Sequence, residues 1–121
     1  MDMNFQLIGD ILSGILPEGW EKVRLFCEIS PASYEFFFHV KLNGKYVQNF
    51  DLEATHNISH KEMRSVFNQL YNEMKADQAK ENWKVATFTM DNSGAFKVDF
   101  DYDVSEVTLE YKNKWMEDFL D

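Results

Sequence analysis

The chain has one cysteine, Cys27, among 121 residues, so no internal disulfide can staple it. Cys27 lies in an apolar run and reads as a small core residue of a protein kept in a reducing compartment. No basic-then-apolar leader opens the sequence, and no apolar run approaches the roughly 18 residues of a membrane span. The expected location is therefore cytoplasmic, with no membrane partner. Basic residues are scarce as well: 12 Lys and Arg stand against 21 Asp and Glu, a net charge of −9. A surface of that sign repels phosphate backbones, which argues against direct nucleic-acid binding.

The usual signatures of catalysis are also missing. His39, His56 and His60 fall on a strand, a loop and a helix start, and the clustered set of cysteine and histidine ligands that zinc requires is missing. There is no phosphate-binding glycine loop, nucleophile elbow or dinucleotide fingerprint. Cys27 has no basic partner placed locally to activate it. Asp91-Asn92-Ser93-Gly94 resembles the opening of a calcium loop but lacks the later bidentate glutamate, and ordinary turn chemistry accounts for it. The expectation is a protein that is not an enzyme and holds no cofactor or metal.

What the chain has in abundance is aromatic: eleven Phe, five Tyr and three Trp. With this length they are enough for one globular domain over residues 1–121. Residues 2 to 16 have the spacing of a short amphipathic helix, with Phe5, Ile8, Leu12 and Ile15 on one stripe. Val23, Leu25, Cys27 and Ile29 alternate with Arg24, Phe26 and Glu28, the two-residue period of a strand. Ser30 to Ser33 turns the chain into a second strand, Tyr34 to Leu42, whose Phe36-Phe37-Phe38 sets rings on both faces. Asn43-Gly44 marks a tight hairpin into a third strand from about Lys45 to Leu52. Ser59-His60-Lys61-Glu62 is a capping box opening a helix through Met63, Val66, Phe67, Leu70 and Met74, which fades into a polar stretch, Lys75 to Asn82. Trp83 to Tyr102 reads as a β-hairpin. A last helix starts at Asp103 or Ser105, with Val107, Tyr111, Trp115 and Phe119 on its apolar side. The predicted fold is α+β, in the order αβββαββα: a single antiparallel five-stranded sheet with helices packed on one face.

The final hairpin carries the functional signal. In its second arm Phe96, Val98, Phe100 and Tyr102 alternate with Lys97, Asp99, Asp101 and Asp103. Like charges on neighbouring same-face positions repel, so stability alone gives little reason to collect three aspartates. From Asp99 to Asp121 eight acids face only Lys112 and Lys114, leaving −6 of the −9 in the last fifth of the chain. Either this is a solvated face that maintains solubility, or it is a surface that meets a basic partner. The outer sheet face, carrying Phe26, Phe37, His39, Val85, Thr87 and Thr89 beside Asp99 and Asp101, is an apolar patch with an acidic edge. Such patches mark protein interfaces, unless a helix covers this one and makes Phe26 and Phe37 core. The candidate partner-binding residues are Asp99, Asp101, Asp103, Phe37, His39, Glu106 and Glu110.

Two segments carry a resemblance that extends over nearly the whole chain. The first runs Ile15-Leu16-Pro17-Glu18-Gly19-Trp20-Glu21-Lys22-Val23 into the Leu25 to Ile29 strand. The second runs from Trp83-Lys84 through Thr87-Phe88-Thr89-Met90 to Phe96-Lys97-Val98-Asp99-Phe100-Asp101-Tyr102. With these segments, the helix between them and Trp115, the chain resembles the YezG-like antitoxin and immunity proteins of bacterial polymorphic toxin systems. The resemblance implies a small cytoplasmic protein that binds and blocks the toxic C-terminal domain of a secreted effector. Such toxins are often nucleases, delivered by contact-dependent growth inhibition or related routes. A 1:1 complex with a basic nuclease domain fits the acidic surface, because carboxylates can stand in for phosphates in a nucleic-acid cleft. The alternative is an acidic adaptor or regulatory protein-binding domain with no toxin partner.

Overall fold

A computed structural model describes residues 4–31 and 33–120. The expected helix opening at Asp2 and Met3, Ala32 of the turn and the acid Asp121 lie outside the described residues. Within them the elements are α1 (Phe5–Ser13), β1 (Lys22–Ile29), β2 (Tyr34–Leu42), β3 (Lys45–Gln48), α2 (Asn49–Thr55), α3 (His60–Glu81), β4 (Val85–Asp91), β5 (Phe96–Asp101) and α4 (Leu109–Phe119). The strands form one sheet in the order β3-β2-β1-β4-β5, antiparallel at every pairing. The α+β class, the five-stranded antiparallel sheet and the order αβββαββα hold, with α2 as a short addition ahead of the long helix.

Local chemistry explains most boundaries. Asn43 and Gly44 take positive φ (51° and 79°) and pair Leu42 with Lys45 across the hairpin, as a primed turn requires. Ser59 and Glu62 make the expected reciprocal capping box, and α3 ends where Asn82 turns left-handed at φ 63°. The polar stretch from Lys75 stays helical because Asp77 and Gln78 turn inward. Trp83 Nε1 donates to Asp77 Oδ2 (3.0 Å), and Gln78 Nε2 donates to the Trp83 carbonyl (2.8 Å).

Three expectations need correction. Strand three does not reach Leu52, because the Asn49 side-chain oxygen accepts the Phe38 backbone N–H at 3.0 Å. A side chain thus takes the ladder position the next β3 residue would have filled, and the released backbone coils into α2 and buries Leu52. The last helix starts at Leu109 rather than Asp103 or Ser105. Asp101 Oδ1 accepts the Asp103 N–H (3.1 Å), a local turn that competes with helix, and Thr108 supplies the cap by accepting from Tyr111 N (3.1 Å). Finally, the helices do not all pack on one face. α1, α2 and α3 cover the inner face, where Ile8, Leu12, Leu52, Met63, Leu70 and Met74 meet Leu25, Phe38 and Phe88. α4 lies on the outer face, because Phe26, Phe37 and Val85 present apolar surface there that water would otherwise cover. Phe67, at the centre of the predicted stripe, is only half-buried, while Leu70 and Met74 are fully enclosed.

Candidate protein-binding site

Register fixes the composition of the outer face. Phe26 stands opposite Phe37 on β2 and Thr87 on β4, Thr87 opposite Asp99, and Val85 opposite Asp101. Cross-strand partners share a face, so the aromatic patch and the acidic strip are continuous, as the alternation predicts. α4 lies across this surface and is held by specific bonds. Trp115 stands edge-on to Phe26 (centroids 5.6 Å, 89°), and its Nε1 donates to Thr87 Oγ1 at 2.7 Å. The Tyr111 hydroxyl donates to Asp101 Oδ2 at 2.8 Å. Lys112 Nζ pairs with Glu35 at 2.6 Å.

Between α4 and the β4–β5 hairpin lies a cavity of about 520 Å³. Tyr111, Trp115 and Phe119 supply its aromatic wall. Asp99, Asp101, Glu106, Glu110 and Asp118 line it with carboxylates, and the one lining lysine, Lys114, pairs with Asp118 at 3.7 Å. Burial, followed by the hydrogen bond and charge of Asp101, pushes the Tyr111 phenol above the usual tyrosine range, so it stays a donor. Asp99 Oδ2 is buried without a hydrogen bond, 3.6 Å from Lys97 Nζ, although the side chain as a whole is 45% exposed. Farther along the face, burial and the neighbouring Glu35 raise the Glu28 carboxyl above its ordinary value, with Lys112 opposing.

The predicted partner-binding residues separate into groups. Asp99, Asp101, Glu106 and Glu110 meet at the cavity. Asp103 is exposed in the loop after β5 and is not part of the lining. Phe37 is half-buried against Trp115 (5.5 Å). His39 points to the outer face but is only 4% exposed, with Phe37 at 5.8 Å and Trp115 at 5.9 Å. As α4 covers it, His39 offers no open contact surface. Burial lowers its pKa, Asp51 partly opposing, and its Nδ1 has no hydrogen-bond partner. A second depression of about 390 Å³ lies beside these two residues, with Phe50, Leu109 and Met116 on its rim. Sequence reasoning missed Tyr111, Trp115 and Asp118 as site residues. The i, i+4 spacing of Tyr111, Trp115 and Phe119 had signalled an apolar stripe, but periodicity does not say which surface a stripe meets.

The remaining candidates for chemistry are placed elsewhere. Cys27 is fully buried, and burial pushes its thiol well above the usual range. His56 and His60 are exposed; His56 Nδ1 lies 2.8 Å from Thr55 Oγ1 and His60 Nδ1 lies 3.2 Å from Glu53. No helix among the described residues is long and apolar enough to cross a membrane.

Comparison with known proteins adds an independent observation. The family described as "Immunity protein YezG-like" matches residues 1–120. The chain is similar to "Immunity protein YezG" of Bacillus subtilis (strain 168), 30% identical over 107 residues that make up 82% of this chain and 71% of that protein. It is also similar to "Immunity protein YezG" of Bacillus spizizenii (strain ATCC 23059 / NRRL B-14472 / W23), 26% identical over 108 residues, 82% of this chain and 66% of that one.

Proposed function

Because the chain belongs to the YezG-like immunity protein family, we propose that it neutralises a cognate toxin by occupancy, binding a basic, nuclease-type C-terminal toxin domain one to one. The observation that carries this reading is the 520 Å³ cavity at the outer face, where carboxylates surround an aromatic wall. Five acids and one paired lysine make a negative recess, and low-dielectric walls focus such a field outward. A nuclease cleft built to hold phosphates presents Lys and Arg. Carboxylates aimed at those groups replace the substrate's charges, while the half-buried Tyr111 and Phe119, backed by the buried Trp115, offer ring faces to arginine planes. Blocking of this kind needs no nucleophile or base in the inhibitor.

The structure also refines the choice of test residues. Asp101 holds the Tyr111 hydroxyl, so reversing its charge would disturb α4 as well as the surface field. Glu106 and Glu110 are exposed and are the cleaner probes. The test is co-expression with the C-terminal domain of a candidate effector whose gene adjoins this one, scored by survival, co-purification and titration. The reading expects toxin activity to fall linearly and vanish near one equivalent. Neutralisation far below one equivalent would point to catalysis, and failure to co-purify would refute a direct complex.

A further inference from the structure

The two edges of the sheet are unlike. β3 is four residues long and passes directly into α2. β5 is six residues long, and among the described residues no strand pairs with its outer side. Two hydrogen bonds set the phase of its ladder. Asp91 N donates to the Ala95 carbonyl (3.0 Å), and Asn92 N donates to the Glu21 carbonyl (3.1 Å), so Asp91 bonds toward β5 and the next residue toward the β1 side; at the other end of the strand the Lys84 N–H reaches the Asp101 carbonyl of β5 (2.8 Å). Alternation then directs the backbone of Lys97, Asp99 and Asp101 toward β4, and the N–H and C=O groups of Phe96, Val98 and Phe100 outward.

We infer that β5 is an accepting edge for an extended segment in which Lys or Arg alternates with apolar residues. Added beside β5, such a segment places its basic side chains on the outer face next to Asp99 and Asp101. Its apolar side chains fall on the inner face beside Phe96, which is 45% exposed, and the half-buried Val98 and Phe100. Main-chain bonds supply affinity and the alternation supplies register. A second copy of this chain is a poor occupant, since two such edges bring aspartates together on a protein of net charge −9. On the toxin-binding reading, on which the owner of the segment rests, it belongs to the toxin domain. The competing role for the edge acids is protective, keeping foreign strands off.

The probe is a backbone-cyclised hairpin peptide whose free edge alternates Lys and Val, preorganised to lower the entropy cost of pairing. Amide hydrogen exchange is read by NMR on the full chain. With the peptide in excess, the amides of Phe96, Val98 and Phe100 slow by roughly tenfold or more. The same peptide N-methylated along its free edge, and one alternating Glu and Val, leave them unchanged. Val98→Pro deletes an outward N–H and spares the β4 ladder, so it loses the protection while its melting falls only by the trimmed half-buried side chain. Lys97→Pro breaks an inward bond and destabilises the fold. No protection with the Lys peptide, equal protection with the N-methylated one, or self-association through β5 in sedimentation would overturn the inference and leave neutralisation to its own co-purification test. Peptide protection without toxin co-purification would uphold the accepting edge and sink the toxin reading.

Discussion

The two faces of the sheet are built from the same alternating strands but are closed differently. On the inner face three helices seal Leu25, Phe38, Val40 and Phe88, together with Trp83, in a continuous core. On the outer face one helix seats Trp115 on Phe26 and Val85, and leaves a cavity with a charged mouth beside it. Apolar burial explains the centre of the inner face, where Leu25, Phe38, Val40 and Phe88 are fully enclosed, and it thins toward the β5 edge at Phe96. The outer face carries carboxylates where a stability-driven sequence would place more apolar contact, and that divergence separates a sealed face from one that keeps a charged recess open.

Breaking the inner face should cost most. Phe88→Ala should destabilise by about 3–5 kcal/mol, enough to unfold much of the population at moderate temperature, as read by denaturant melts. Trp115→Ala should cost less, about 3 kcal/mol, because the adjoining cavity lets its surroundings relax. Its loss should also be local: exchange protection over Leu109–Phe119 falls while the β1–β4 ladder persists. A globally cooperative loss equal to that of Phe88→Ala would erase the distinction between the faces. Trp115→Phe keeps one ring on Phe26 but removes the rest of the indole and the bond to Thr87, and should cost about 1–2 kcal/mol in the same melts, less than Trp115→Ala.

His39 sharpens the comparison through pH. Burial holds its folded pKa below the ordinary value of 6.5. Between the two values the unfolded chain binds a proton that the folded protein refuses, so stability falls as pH drops below about 6.5. Glu28, raised above its ordinary value by burial and Glu35, contributes with the opposite sign. Melting temperatures of the parent should decline as pH falls from 7 toward 5, and His39→Gln should remove that component. An unchanged profile in the variant would show that protonation of His39 is not what loosens the outer face. The smallest effect on stability belongs to Glu106→Lys with Glu110→Lys, within about 0.5 kcal/mol on exposed positions. Association with the toxin domain should nonetheless slow, and its on-rate should lose part of its salt dependence.

How far the sequence could be read follows from the range of each signal. The hairpin at Asn43-Gly44, the Ser59–Glu62 cap and the alternation of β1, β4 and β5 are short-range and correct in sign, so the faces of Phe26, Thr87 and Asp99 came out as the register has them. Tyr46 to Leu52 holds no glycine or proline, so the pattern alone carries β3 past its true end. What ends the strand is one Asn49 side chain reaching Phe38, eleven residues away. The start of α4 is not legible from pattern because the Asp101 turn and the Thr108 cap compete locally for it.

The sequence by itself determined that this chain makes an antiparallel sheet with one acidic, aromatic face, because side-chain alternation and turn chemistry act over a few residues. Only the tertiary structure decided that α4 crosses to that face, buries His39 and Phe26, and encloses a cavity between Tyr111, Trp115 and the carboxylates of β5. An amphipathic stripe specifies that a helix must be covered. Which apolar surface covers it depends on what the rest of the fold has left open.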